Sequence, residues 1–279
     1  MTTFNDNRDG RKGTKEWSDA SYNICVGCEH GCLYCYAKAM ACRFNKTMRQ
    51  PGAWDAQRLN SNQNRLGAEV GKKGVVMFPT SHDITPNFVP QAVVTIRNLL
   101  THNKVLVVTK PHLSVVTALC SEFAGHNADM QFRFTIGALS GDICAFWEPG
   151  APTPHERIQA LKYAFNAGFQ TSVSIEPMLD SVENTLRLVA TITPFVTDTI
   201  WLGKLNRCPQ KTNAHVPGFQ AALARVAVQQ TDAEILRLVA LLNSQPKIRW
   251  KDSIKDVIAK YTPSGAGQIT TLISSQHLN

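Results

Sequence analysis

The sequence predicts an α/β fold, a parallel sheet curled toward a barrel with helices outside it, followed by a mainly helical C-terminal extension. Two observations carry this reading. Short apolar runs bounded by Gly and Pro alternate with segments whose apolar residues recur at helical spacing, and repeated strand–helix units favour a parallel sheet with right-handed crossovers. The chain has 279 residues, 43% of them hydrophobic, enough to bury one substantial core and within the range of a single α/β barrel domain.

Taken in chain order, residues 1–20 are polar, charged and glycine-containing, and read as an extended or poorly ordered arm. The ordered domain is expected over 21–206, with a first strand near Tyr22–Cys25. Val75–Phe78, between Gly74 and Pro79, reads as a strand and Val89–Leu100 as the helix after it. The alternation continues with Val105–Thr109 and His112–Phe123, then Phe132–Gly137 and Pro154–Ala167. Thr153 is the expected N-cap of that last helix, Pro154 its first turn and Gly168 its stop. Thr171–Ile175, a helix over Val182–Ile192 with Ser181 as cap, and Thr199–Gly203 complete six strands. Residues 207–279 read as an extension packed on the barrel, with helices over Phe219–Val228, Asp232–Leu242 and Asp252–Lys260 and a short strand-like Lys247–Lys251. Active residues of such a fold belong at the C-terminal ends of its strands.

The N-terminus has no apolar run behind its charges, and nowhere do about eighteen uncharged apolar residues follow one another, so a soluble cytoplasmic protein with no membrane partner is expected. Eight cysteines would suit a disulfide framework poorly here, because Cys25, Cys28, Cys32, Cys35 and Cys42 crowd into one segment and read as metal ligands in a reducing compartment. Cys120, Cys144 and Cys208 are scattered, as small buried apolar residues are.

Cys28, Cys32 and Cys35 stand at C-x3-C-x2-C spacing on a loop after the first strand. Thiolates are soft ligands suited to iron–sulfur clusters, and three of them leave one iron of a four-iron cluster open. An open iron can bind the amino and carboxylate groups of S-adenosylmethionine, so that an electron from the cluster enters the sulfonium and breaks a C–S bond. The rival is zinc. Cys25-x2-Cys28 and Cys32-x2-Cys35 have the form of two zinc knuckles, but only three residues separate the pairs, against the longer spacers of a zinc ribbon.

The segment Cys28–Cys35, with the aromatic Tyr34 before its last cysteine, resembles the radical S-adenosylmethionine signature. The resemblance extends over roughly 21–206 through NICVGCEHGCLYCYAKAMACRF, MFPTSHDITP, VLVVTK, FRFTIG, WEPGAPTPHERIQAL, VSIEPML and IWLGKLN, and is nearest to the branch of spore photoproduct lyase and related phage and bacterial proteins. It implies a partial (βα)6 barrel of TIM type, a [4Fe–4S] cluster on Cys28, Cys32 and Cys35, S-adenosylmethionine as cofactor, and an electron donor such as flavodoxin or ferredoxin.

Residue by residue, the resemblance places Tyr34 near the adenine, and Ser81, Lys110 and Thr135 at the cofactor, with the Lys110 ammonium on its carboxylate. The alternative for these three is an ordinary surface lysine and two locally bonded hydroxyls. Tyr34 and Tyr36 match a tyrosine pair implicated in passing a hydrogen atom, though Tyr36 could equally be a packing residue. Glu176, before Pro177 at a strand end, is a candidate to anchor the ribose or substrate, and Arg133 and Glu148 are similar candidates; a buried structural ion pair is the other reading. His82 and Asp83 either bind substrate or shape the loop. One departure is clear: Pro79 stands where the lyase has a hydrogen-donating cysteine, so the lyase reaction itself is not implied, and Cys144, a tyrosine or 5′-deoxyadenosine would return the hydrogen.

The net charge of +8 hints at a polyanionic partner. From Lys38 to Lys73 there are eight basic residues (Lys38, Arg43, Lys46, Arg49, Arg58, Arg65, Lys72, Lys73) against Asp55 and Glu69, with Phe44 and Trp54 among them. Such a composition suits phosphate contacts with stacking on bases, so a nucleic-acid base, on DNA or RNA, is the expected substrate; a solvated helical face is the plain alternative. Modification of a peptide or small metabolite is a second function, and a non-catalytic iron–sulfur or zinc protein that binds nucleic acid a third.

Overall fold

The computed structural model describes Phe4, Arg11 and residues 13–60, 71–206, 208–209 and 213–262. Its strands are β1 (Ala20–Ser21), β2 (Cys25–Val26), β3 (Arg58–Leu59), β4 (Val75–Phe78), β5 (Lys104–Thr109), β6 (Met130–Thr135), β7 (Gln170–Ile175), β8 (Ile200–Leu202) and β9 (Ile248–Trp250). Its helices are α1 (Tyr36–Phe44), α2 (Val89–Leu100), α3 (Leu113–Glu122), α4 (Gly141–Trp147), α5 (Pro154–Asn166), α6 (Val182–Ile192), α7 (Phe219–Gln229), α8 (Asp232–Leu242) and α9 (Asp252–Tyr261). Seven strands form one parallel sheet in the order β1-β4-β5-β6-β7-β8-β9, while β2 and β3 make a separate antiparallel pair. The expected α/β architecture is therefore present.

Alternation along the strands sorts the core into two layers. Val76, Phe78, Val105, Val107, Phe132, Phe134, Val173, Ile175, Ile200 and Leu202 pack with α2, α3, α5, α6 and α8 in the outer, helix-facing core. Val75, Met77, Leu106, Val108 and Trp201 form a second cluster with Trp17 and Phe4 on the opposite side of the sheet. Along β6 every residue is buried, as a strand covered on both faces requires. The caps stand as the sequence indicates: the Thr153 hydroxyl accepts from the Glu156 N–H at 3.2 Å, the Ser181 hydroxyl from the Asn184 N–H at 3.3 Å, and Gly168 takes the left-handed φ of +81° just past α5.

The structure departs from the sequence reading at four places. The first sheet strand lies earlier than Tyr22–Cys25, at Ala20–Ser21. The chain turns out of the sheet at Asn23, whose carboxamide oxygen accepts the N–H groups of Thr80 (2.7 Å) and Ser81 (2.9 Å), so that Cys25–Val26 pairs instead with Arg58–Leu59. Ile248–Trp250 joins the sheet beside β8, so the C-terminal extension supplies a seventh strand. Helix α4 appears between β6 and α5, capped by Ser140. Finally, of the arm expected over residues 1–20, Gly13–Glu16 forms a turn of 3-10 helix and Trp17 is buried. Within the basic stretch, Arg65 and Glu69 lie outside the described residues.

Candidate active site

The cysteine loop joins β2 to α1 and is fixed on three sides. The Cys28 N–H donates to the Trp54 carbonyl (2.9 Å), the Glu29 N–H to the Gln57 side chain (3.2 Å), and the Leu33 N–H to the carbonyl of Trp147 at the end of α4 (2.8 Å). The Asn213 amide holds the Leu33 carbonyl. At Gly27 the backbone has φ +82° and a Cβ would lie 2.4 Å from the Trp54 carbonyl, so only glycine fits this close approach. The loop delivers all three thiols to one cavity of about 470 Å³, which also touches Tyr34, Ser81, Lys110, Thr135 and Glu176.

The donor set suits a cluster. Burial pushes the Cys28 thiol up to about 12, with the Asp83 charge adding to it, and burial raises Cys32 and Cys35 as well. Buried thiols at this level stay protonated until a positive centre ligates them. The N–H of Lys38, in the first turn of α1, points at the Cys35 sulfur (3.3 Å), the kind of bond that favours a ligating thiolate. Among the described residues no three cysteine, histidine or acidic side chains are grouped to hold a single metal ion. A four-iron cluster takes each thiolate on a different iron. The other cysteines are spent elsewhere: Cys25 and Cys120 pack in the outer core, the Cys42 thiol donates to the Met48 carbonyl at 3.1 Å, and Cys144 lies 3.8 Å from the Ala138 carbonyl.

Lys110 follows β5 and reaches under the loop, its ammonium 5.5 Å from the centre of the Tyr34 ring. Burial alone would discharge it, but Glu148 and Asp83, joined by Cys32 once that is a thiolate, surround it and hold it charged, above the usual lysine range. Asp83 is buried too. Although burial works against its charge, His30, Lys110 and Thr109 keep its carboxyl below the usual range. Its oxygens accept from the N–H groups of Ile84 and Lys110, each at 2.8 Å, and from the Thr109 hydroxyl, and one lies 3.2 Å from Nδ1 of the buried His30. His30 Nε2 in turn meets His112 Nε2 at 3.2 Å. His82 accepts the Ile24 N–H at 3.0 Å through Nε2 and is kept neutral by burial. Both His82 and Asp83 line the cavity, yet their bonds are to its frame.

Thr135 ends β6 and is paired in register with Ser174 on β7, so two hydroxyls stand side by side on the wall. Glu176 follows β7; burial raises its carboxyl above the usual range, with Lys251 3.9 Å away opposing that shift. Tyr36 is 59% exposed at the mouth and donates its hydroxyl to the Thr80 carbonyl at 2.7 Å. Arg133 and Glu148 do not line the cavity. Arg133 donates to the Ser172 hydroxyl (2.9 Å), faces Asp198 at 3.8 Å and lies over the rings of Trp17 and Trp201. Glu148 forms a fully buried ion pair with Arg157 at 2.5 Å and accepts the Tyr34 hydroxyl, so it acts on the cavity through Tyr34 and through its charge beside Lys110.

Sequence reasoning missed Trp17, Ser174, Lys204 and Lys251, which complete the far wall. Lys251 pairs with the buried Glu16 and lies 4.5 Å from the Trp17 ring centre. Ser174 carried a signal as the alternate residue of a strand already read as such, and Lys204 as the charged residue just past the strand Thr199–Gly203, within IWLGKLN; Trp17 and Lys251 come from the arm and the extension, whose packing on the barrel has no periodicity to announce it.

No described sequence family matches the chain. Uncharacterized protein ORF301 of Acidianus two-tailed virus is 25% identical over 178 residues, 59% of this chain and 58% of that relative's length, so the match spans less than two thirds of it. Among solved structures, a variant of spore photoproduct lyase superposes with a TM-score of 0.52 at 14% identity, covering 87% of this chain and 78% of the lyase. Streptococcus suis SuiB bound to its precursor peptide SuiA gives 0.51 at 11%, covering 90% and 53%. A radical SAM methyltransferase from Sphaerobacter thermophilus gives 0.50 at 15%, covering 84% and 66%. At these identities the likeness concerns the fold, and the chain has the partial-barrel fold of the radical S-adenosylmethionine enzymes.

Proposed function

We propose that this chain is a radical S-adenosylmethionine enzyme acting on a nucleic-acid base or modified nucleotide. The observation that carries the reading is the convergence of Cys28, Cys32, Cys35 and the charged Lys110 on one cavity at the C-terminal ends of a parallel barrel. The three thiols would hold a [4Fe–4S] cluster. Such a cluster would supply one electron for reductive cleavage of the C–S bond of S-adenosylmethionine, giving methionine and a 5′-deoxyadenosyl radical able to take hydrogen from a substrate. Lys110 supplies the fixed positive charge for the methionyl carboxylate, Tyr34 a ring near the adenine, and Ser81 and Thr135 hydroxyls for the cofactor's polar groups. Glu176 and Lys251, on the far wall, remain for the ribose or the substrate. An electron donor such as flavodoxin or ferredoxin is required.

Among the described residues, no cysteine but the three on the loop lines the cavity, and Pro79 lies in its wall. Return of hydrogen to the product is then left to Tyr34, Tyr36 or 5′-deoxyadenosine. The substrate reading rests on the basic segment that borders the mouth. Trp54 is buried and lines the cavity, whereas Phe44 is exposed on the surface.

Anaerobic reconstitution tests the reading. About four irons per chain are expected, with loss of the cluster in Cys28→Ala, Cys32→Ala and Cys35→Ala and retention in Cys25→Ala and Cys42→Ala. The loaded enzyme should release 5′-deoxyadenosine and, offered deuterated DNA, RNA or nucleosides, carry deuterium into it. Label arriving only from a peptide or a small metabolite would reassign the substrate. A cluster without cleavage of S-adenosylmethionine would make the chain a binding protein.

A further inference from the structure

Helix α1 starts immediately after the ligand Cys35, and its first two residues, Tyr36 and Ala37, line the mouth of the cavity. Of its nine residues only Ala37 is buried. Tyr36, Met40 and Phe44 recur every fourth residue on one face and are 59%, 48% and 74% exposed. Three large apolar side chains so placed are costly to leave in water without a ligand to cover them. The stripe runs roughly 12 Å outward from the mouth, about the length of three or four stacked nucleotides. Residues 36–49 hold Lys38, Arg43, Lys46 and Arg49 and no acidic residue, Lys38 lying off this face beside Asp55 at 3.7 Å. The Arg43 guanidinium lies 5.5 Å from the centre of the Phe44 ring.

We propose that this face of α1 is a track for single-stranded nucleic acid, along which bases stack on Phe44 and Tyr36 while the cations follow the phosphates, and which leads one base into the cavity. The inference rests on the proposed function and adds the strandedness of the substrate and its path. Apolar rings at intervals within a field of positive charge are what a single strand requires, since every base has a face to stack and every link carries a negative charge. An apolar peptide would gain nothing from the cations. A duplex keeps its bases inside the stack, and a cavity enclosed by strand ends receives a base only after it has been extruded.

The test is fluorescence anisotropy of the reconstituted enzyme with a labelled oligonucleotide, offered single-stranded, as the same sequence in duplex, and against a labelled acidic peptide. Single strand should bind at least about tenfold tighter than duplex, the cost of extruding a base. Phe44→Ala should weaken single-strand binding roughly 5- to 100-fold, Phe44→Trp should retain it, and both variants should keep the iron content and substrate-free release of 5′-deoxyadenosine of the parent. Nucleic-acid turnover with equal binding by Phe44→Ala, or preference for duplex, overturns the track and leaves the proposed function standing. Binding and turnover of the peptide alone overturn both.

Discussion

Glu148 and Arg157 carry opposite charges with no exposed surface, and their pairing decides where Tyr34 stands. Arg157 also donates to the carbonyls of Pro152 (2.8 Å) and Thr135 (3.3 Å), which ties the end of β6 to α5. Removing the guanidinium strands a buried carboxylate, so Arg157→Met should cost about 3–5 kcal/mol in urea unfolding, whereas Tyr34→Phe, which leaves the ion pair intact, should cost about 1–3 kcal/mol. Glu176 is the opposite case, a carboxylate that its surroundings penalise. Burial raises its pKa on folding, so its ionisation opposes folding. The native state then binds more protons than the unfolded state above the ordinary carboxylate range, and stability falls as pH rises from there through the raised value. Glu176→Gln should therefore raise the melting temperature at pH 7, and the gain should vanish below pH about 4, where both states are protonated. A melting curve with no gain at neutral pH would show that Lys251 fully compensates the charge. At this scale the sequence was most informative where residue type and spacing together fix chemistry, as at the three cysteines. It was ambiguous for lone charged residues: Arg133 and Glu148 are legible as important, but whether a buried charge meets a ligand or a counter-ion depends on partners such as Asp198 and Arg157 that only the fold brings near.

Among elements, the barrel strands were readable because each is an apolar run between Gly, Pro or polar punctuation, and their inward and outward residues follow from alternation. What was not readable are the joints. Asn23 is one: a single carboxamide ends the first strand, binds the loop after β4 and sets the cysteine segment on its course. Its amide group also donates to the Thr80 hydroxyl at 2.7 Å. Asn23→Ala leaves two backbone N–H groups without their acceptor, an expected loss of about 1–3 kcal/mol for each. Because Ser81 belongs to the same loop, the affinity for S-adenosylmethionine should fall as well, measured by equilibrium dialysis on the reconstituted protein. Weaker folding with unchanged affinity would detach Ser81 from the cofactor. The N-terminal turn is a second joint. Glu16 is buried against Lys251 and Lys255, whose place in sequence lies more than two hundred residues away, and this pairing brings Trp17 to the cavity wall. A polar, glycine-containing segment has no local feature that foretells such an anchor; the ordering comes wholly from the residues it meets.

Over the whole molecule, no helix among the described residues is long and apolar enough to cross a membrane, and the charge of +8 is distributed unevenly. Many cations are balanced internally and add nothing to the excess. Lys251 and Lys255 neutralise Glu16, Arg157 neutralises Glu148, and Arg237 bridges Glu183 and Glu234. Among the described residues, on α1 and the turn after it only Lys38 has an acidic neighbour, Asp55 at 3.7 Å, while Arg49 caps the helix end by donating to the Cys42 carbonyl at 2.7 Å. A surface charged in this way should bind a polyanion by releasing its counterions, and the logarithm of the binding constant should fall linearly with the logarithm of the salt concentration. Each phosphate neutralised on a single strand contributes about 0.7 to that slope. Arg43→Gln and Lys46→Gln together should thus flatten it by about 1.4 if each contacts one phosphate. Neither residue touches the cavity, so release of 5′-deoxyadenosine without substrate should stay at the parental rate. A slope that both variants leave unchanged would mean that the phosphates are met elsewhere on the surface. Binding that does not respond to salt would mean that the substrate is small and uncharged, held within the barrel, and that the basic face of α1 serves only its own solvation.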